Sequence, residues 1–502
     1  MSPSRREEPM AEPRVEQSQQ PGAEVGPLSL LEQIVDKGRF GVEAPARERG
    51  RDMIKQFVTE VLAGTITMAR DTDTMLNARI AQIDRLISLQ VNEVLHHPEF
   101  QKLESSWRGL RYLLSQSETS ETLKVKILNV SKKDLLKDLQ RAPEFDQSAL
   151  FKKVYEEEYG IFGGSPFGAL LGDYEFDKTG EDVELLEKVS QVSAASHAPF
   201  ISGTSAKMFS LDSFTQLDAP RDLAKILSTS DYAKWKAFRE SEDSRYIALT
   251  APRMLLREPY GSQTVPVEAF QYEEHIGGAH DNYLWGNAAW ALGVRVTQAF
   301  ASYGWCATIR GVESGGLVEG LPVHSFTTDQ GDVAMKCPTE TPITDRREKE
   351  LADLGFVPLV HCKGTANAAF FSVQSSQKPK KYQTDSATAN ARISAQLPYI
   401  FAVSRFAHYL KAIMRDKIGG YQSKSQIQTF LNNWISDYVV GDPNASHSMK
   451  AKRPLQEAQI EVQEVPGKPG AYRAVAFLRP HFQLDELSVA MRLVAELPPP
   501  AK

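Results

Sequence analysis

Cysteine is scarce in this chain: Cys306, Cys337 and Cys362 are the only three in 502 residues. They lie far apart, are odd in number and form no C-x-x-C pair. Neither a zinc knuckle nor a disulfide framework is expected, and a reducing compartment fits. Long apolar runs are also lacking, since none approaches the roughly 18 residues of a membrane-crossing helix. The opening stretch MSPSRREEPMAEPRVEQSQQPG has no apolar core of an export leader, so a cytoplasmic protein without membrane insertion is expected. An excess of positive charge is missing too. With a formal net charge of −6 and a pI near 6.0, the chain has no broad basic face, and nucleic acid is not an expected partner.

Catalytic signatures are equally thin. G-x-G-x-x-G, Walker A, H-E-x-x-H and G-x-S-x-G do not occur. Ser375 and Lys378 form S-x-x-K, and Lys178, Thr179 and Gly180 spell K-T-G, as in penicillin-recognising serine enzymes. Their order along the chain is reversed and S-D-N is missing, so the match reads as chance. His96, His97 and Glu99, joined by His275 and His280, are the residues from which a metal site would have to be built. Adjacent imidazoles at a helix start diverge, which favours capping or surface roles.

What is present is apolar residue in quantity, 41% of the chain, enough for two or three domains with real cores. Residues 1–27 are rich in Pro, Glu, Gln, Arg and Ser and are expected to be a disordered tail. In the PLSLLEQIVDKGRF that follows, Ser29 and Glu32 form a capping box and Gly38 supplies a stop. Leu30, Leu31, Ile34 and Val35 then line one face of a helix too short to persist alone, which needs a partner or its own domain.

Residues 46–118 carry helical periodicity: Ile80, Ile83, Ile87 and Val94, then HHPEFQKLESSWRGLRYLL. Pro98 suits a first helical position, and Phe100, Leu103, Trp107, Leu110 and Leu114 recur at spacings of three and four. This stripe is read as docking onto the chain's own core. Residues 119–343 mix strand and helix: TLKVKILNV alternates like a strand, Ser131 opens SKKDLLKDLQ, and HDNYLWGNAAWALGVRVTQAFASYGW contains a largely buried helix. KPKKY at 378–382 is read as a solvated loop. From 344 come DRREKELADLGF, the strands VPLVHC and AAFFSV, and two amphipathic helices. The first of these helices carries Tyr399, Val403, Phe406, Leu410 and Ile413, and the second Ile427, Phe430, Leu431, Trp434 and Tyr438. Three alternating strands follow, AQIEVQEV, YRAVAFLRP and LSVAMRLVA. The pattern is that of an α/β or α+β protein. A terminal strand of this kind can complete a neighbour's sheet as readily as its own.

HPEFQKLESSWRGL, VKILNVSKKDLL, EYGIFGGSPFGALLGDYEF, KWKAFRESEDSRYIALTAPRMLLR, HDNYLWGN, NAAFFSVQSSQKPK and QLPYIFAVSRFAHYLK resemble the large subunit of the type VI secretion contractile sheath, the TssC or VipB family. The blocks keep the family's order from about residue 28 to 495. The resemblance implies a structural part that is not an enzyme and uses no cofactor. It implies a multidomain α/β (α+β) fold: a tail at 1–45 with the short helix at 28–38, a helical region at 46–118, a mixed middle at 119–343, and a phage-tail-sheath-like domain at 344–502. Implied partners are the small sheath subunit (TssB or VipA), neighbouring copies, the Hcp inner tube, a baseplate at the envelope, and a ClpV-type AAA+ ATPase. The resemblance places Ser29, Leu30, Leu31, Glu32, Ile34 and Val35 in the helix that this ATPase recognises. It places Ile460, Val462, Ala474, Ala476, Leu478, Val489, Met491 and Leu493 in strands exchanged between subunits. The alternative is a cytosolic enzyme or adaptor that shares the sheath fold.

Overall fold

The computed structural model describes residues 34, 37, 44–62, 72–219, 221–277, 279–327, 331, 333–420, 423–467, 471–481 and 483. The chain divides into two units, Met1–Leu86 and Ile87–Lys502. In the first, helix α1 (Ala44–Leu62) leaves Met53, Val58 and Leu62 exposed. Leu76, Ile80, Ile83 and Leu86, on the first part of α2 (Thr72–Leu95), are exposed as well.

In the second unit, α3 (Pro98–Gln116) begins with Pro98 in its first turn, where a missing N–H has no consequence. TLKVKILNV forms no ladder among the described residues, contrary to the strand its alternation suggests: Leu123 is buried, but Ile127 and Leu128 are exposed and no described strand meets them. Alternation describes one strand, whereas a sheet needs a partner's backbone. Helix α4 (Lys132–Arg141) starts where expected, with the Ser131 hydroxyl accepting the Asp134 N–H.

The centre is a parallel sheet built from β1 (Leu170–Phe176), β2 (Phe200–Thr204), β3 (Ile247–Ala251) and the short β5 (Val357–Pro358), in the order β1-β2-β3-β5. Helix α5 (Gly180–Ser196) links β1 to β2, and α6 (Ala233–Glu240) precedes β3. Every residue of β2 and β3 is buried, as expected of a parallel sheet covered on both faces. Phe176, Phe200, Ile247 and Leu249 join Val183, Leu186 and Val189 of α5 and Trp235 of α6 on one side. Ile201 and Ala248 face Ala289, Leu292 and Val296 of α7 (Ala289–Tyr303) on the other. Beside this sandwich, a small antiparallel sheet joins β4 (Leu317–Val318), β6 (Val360–His361) and β7 (Ala368–Ala369), with β7 in the middle. Helix α8 (Asp345–Asp353) leads into β5.

The C-terminal part packs α9 (Leu397–Asp416), α10 (Lys424–Ser436) and the hairpin β8 (Leu455–Glu464) and β9 (Tyr472–Pro480) around Trp305, Phe406, Leu431, Ile460 and Val462. Ser423 and Gln426 form a full capping box at the start of α10. On α9 the expected stripe is mostly core, with Tyr399 and Phe406 buried and Val403 left exposed. The architecture is mixed α/β, with a layered sandwich and a helix-and-hairpin C-terminal part.

Candidate functional site

Helix α3 meets its neighbours through small residues. Gly109 and Leu113 are its buried positions, and a β-carbon at Gly109 would run into the Trp290 indole of α7. The indole Nε1 donates to Asp173 Oδ1 at 3.1 Å, and Ser106 of α3 donates to the same carboxylate. The docking face is therefore Ser106, Gly109 and Leu113. It is not the large apolar stripe that the spacing favours. Phe100, Leu103, Trp107 and Leu114 stay in solvent, with Leu103 56% and Trp107 66% exposed, and only Leu110 of that row packs partly on the core. The reason is steric: Trp290 needs a partner without a side chain, and this rotates the bulky residues outward.

The polar side of α3 is clamped. Arg257 makes two hydrogen bonds to Glu274, at 2.6 and 3.1 Å, and one to Glu104 at 2.9 Å. Arg108 adds a bond to Glu104 at 2.6 Å, and His96 lies 3.1 Å from Glu274. Burial works against the Arg257 charge, but the bonds to Glu274 and Glu104 outweigh it and raise its pKa. His96 is thus engaged by a carboxylate, and His280 by Glu340 at 3.2 Å. Among the described residues no three His, Cys, Asp or Glu side chains converge as a metal site would require. Glu93, Val94, His97, Glu99, Phe100 and Leu103 line an open depression where α2 turns into α3.

The crevice beyond the C-terminal ends of β1–β3, where α/β proteins commonly take a ligand, is filled by the chain's own groups. Arg253 grips Glu340 through two bonds of 2.8 Å, and Asn287 bonds Thr250 and the Tyr174 carbonyl. Glu175, beside them, has its pKa pushed up by burial. Ser375 of the S-x-x-K match is fully buried and donates to the Ala395 carbonyl. Lys378 and Lys380 of the basic loop pair with Glu240 and Glu242 at the surface. The three cysteines are free thiols. Among the described residues no helix is long and apolar enough to cross a membrane.

Of the residues expected in the short recognition helix, Ser29, Leu30, Leu31, Glu32 and Val35 lie outside the described residues, while Ile34 is helical and exposed. Val489, Met491 and Leu493 also lie outside them, as do residues 1–27. The remaining strand residues come together within one chain: Ile460 pairs with Ala476, Val462 with Ala474, and Ala458 with Leu478. Ile460 and Val462 are fully buried against α10. Two residues that the sequence reading passed over also matter, Gln428 and Asn432. They stand four apart on α10 next to its buried stripe, and both bond to β8. A pair of amides beside an apolar helix face is the signal that could have found them.

Comparison with known proteins agrees over most of the chain. Residues 77–377 match the family model described as "EvpB/VC_A0108, tail sheath N-terminal domain", and residues 386–497 match "EvpB/VC_A0108, tail sheath gpW/gp25-like domain". The Type VI secretion system sheath protein TssC1 of Pseudomonas aeruginosa is 51% identical over 457 residues, covering 90% of this chain and 92% of that protein. Among solved structures, the anti-feeding prophage baseplate aligns over 75% of this chain and 84% of that one, at 8% identity and a TM-score of 0.40. The contracted sheath of the same particle aligns over 62% and 66%, at 10% identity and a TM-score of 0.30. With both family models matched and half of the aligned positions identical to a sheath protein along nearly its whole length, the chain belongs to the VipB family of type VI secretion tail sheath proteins.

Proposed function

We propose that the chain is the large building block of a cytoplasmic contractile sheath, with no catalytic activity of its own. It would assemble with a smaller sheath subunit of the TssB or VipA kind into a helical tube around an Hcp inner tube, anchored at a baseplate. The observation that carries this reading is the row Phe100, Leu103, Trp107 and Leu114, left in solvent beside a fully packed sandwich. Monomeric proteins rarely keep such a contiguous apolar face, and an amphipathic helix is a fitting occupant. Glu93 and Glu99 at the depression's rim favour basic residues flanking that helix.

The C-terminal strands would couple subunits by lending backbone edges, with Ile460, Val462, Ala474, Ala476 and Leu478 in the hairpin and Val489, Met491 and Leu493 in a donated strand. Each added hydrogen bond is worth only about 0.5–1.5 kcal/mol net, but every subunit repeats several of them. The segment Ser29–Val35 would present Leu30, Leu31 and Ile34, beside Glu32, to a ClpV-type ATPase that recycles contracted sheaths. The regions 46–118, 119–343 and 344–502 are proposed as successive domains behind the tail at 1–45. Co-expression with the small subunit followed by electron microscopy tests the proposal: long tubes support it, and a monodisperse particle that ignores the small subunit overturns it.

A further inference from the structure

One face of α9 is built from basic side chains that meet no carboxylate. His408, Lys411 and Arg415 stand at positions i, i+3 and i+7, on one side of the helix. They dock on the ends of two other helices. His408 Nε2 donates to the Ser196 carbonyl at the end of α5, at 2.8 Å. Arg415 donates to the carbonyls of Ile161, Tyr159 and Gly160, at 2.8, 3.2 and 3.3 Å, where the π-helical segment Lys152–Gly160 ends. The Lys411 ammonium lies 3.5 Å from the centroid of the Tyr159 ring and donates to the Tyr155 hydroxyl at 3.1 Å. Helix ends carry partial negative charge on their free carbonyls, which lets these side chains pack here without an acid.

The seam has no room for further positive charge. Around His408 stand Arg405 and Lys411 of its own helix, His197 at the end of α5, and Tyr159 of the π-helical segment, whose ring centroid is 5.1 Å away. His197 Nδ1 lies 3.3 Å from the hydroxyl of Tyr246, in the turn before β3, and Asp243 and Arg245 act on that tyrosine. Glu158, on the π-helical segment, is taken by Lys126. Among the described residues no carboxylate pairs with His197, Arg405, His408, Lys411 or Arg415. Nδ1 of His408 is buried without a partner, so a proton added there brings both a charge and a donor that has no acceptor. A π-helix of nine residues is itself rare, since such geometry occurs mostly as single-turn bulges, and α9 holds the end of this one.

We infer that this seam is an acid-operated latch: a proton on His408 releases the second half of α9 from the ends of α5 and of Lys152–Gly160, while the central sheet stays closed. The first half of α9 remains anchored, because Leu397 and Phe401 belong to the sandwich core. In the open seam the imidazole takes a proton in its usual range near 6.5, whereas in the closed seam burial and the neighbouring cations hold its pKa down at about 4. Opening is therefore favoured as pH falls between these values, by about twentyfold from pH 7 to pH 5. His197, also lowered by burial and by Lys411, acts in the same direction.

Hydrogen exchange on the full chain at pH 7 and pH 5, expressed as protection factors so that the chemical pH dependence cancels, tests this. At pH 5 the segments 405–416 and 152–162 lose protection by about twentyfold, while β2 and β3 keep theirs. In His408→Gln, whose amide still donates to the Ser196 carbonyl but takes no proton, the loss shrinks severalfold. Equal loss in the seam and the sheet means unfolding of the whole and overturns the latch. Unchanged protection at the seam overturns it as well, and this contrast within the wild-type chain decides even if the variant fails to fold. A folded His408→Gln chain that opens at pH 5 as the parent does overturns His408 as the trigger.

Discussion

Strand β3 and helix α3 both carry large apolar side chains, and their fates differ. Ile247, Ala248 and Leu249 have no exposed surface, whereas Leu103 and Trp107 on α3 are more than half exposed. The strand lies between α5 and α7, so both of its faces are covered. The helix is covered on one face only, where Gly109 meets Trp290 of α7 and Ser106 meets Asp173 of β1. An apolar residue records a need for cover, and the cover can come from the same chain or from another. In the sandwich the chain supplies it. On α3 it does not, and this is why the helix is proposed as an assembly surface.

Substitutions on the two sides of this contrast should separate folding from assembly. The largest effect on folding is expected at Trp235, fully buried and stacked on Phe356 at 5.7 Å between centroids. Trp235→Ala should destabilise the chain by about 3–5 kcal/mol in urea unfolding.

Acid should weaken the interior next. His408 of α9 donates from Nε2 to the Ser196 carbonyl at 2.8 Å, capping the end of α5 where His197 adopts left-handed backbone. Burial first, then the positive charge of Arg405 and the presence of His197 and Lys411, holds its pKa down at about 4, against the raising effect of the Ser196 bond. The unfolded imidazole takes a proton below pH about 6.5, while the folded one does so only near 4. The unfolded state therefore binds more protons across that window, and stability is lost as pH falls from about 6.5 towards 4, by about 3 kcal/mol in all. Unfolding midpoints at pH 7 and 4.5 check this, and His408→Gln should flatten the slope.

A smaller cost, about 1–3 kcal/mol, is expected for Gly109→Ala, because the methyl group pushes against Trp290. Thermal unfolding would register it. The least effect on folding belongs to Trp107→Asp, within about 0.5 kcal/mol of the parent. Pull-down with the small sheath subunit should nonetheless show a large loss of binding. A Trp107 variant that binds normally would break the contrast, by showing that the exposed row is not the assembly face.

Much of the fold was legible along the chain because its signals are local. Ser131 caps its helix, Pro98 opens α3, and the alternation of AQIEVQEV and YRAVAFLRP matches the hairpin. TLKVKILNV shows the limit: the same alternation leads to no sheet among the described residues, where no strand stands beside it. The capping box at Ser423 and Gln426 was also open to sequence reading, since it needs only four consecutive residues.

By itself, the amino-acid order determined the family, the helix starts and the set of residues that require cover. Only the tertiary structure decided which of those residues are covered by this chain, because burial depends on pairs far apart in sequence, such as Gly109 with Trp290 and Asn432 with Ile460. In both pairs one member is a small or polar residue that carries no hydrophobic signal, so its role appears only once the partner element is packed against it.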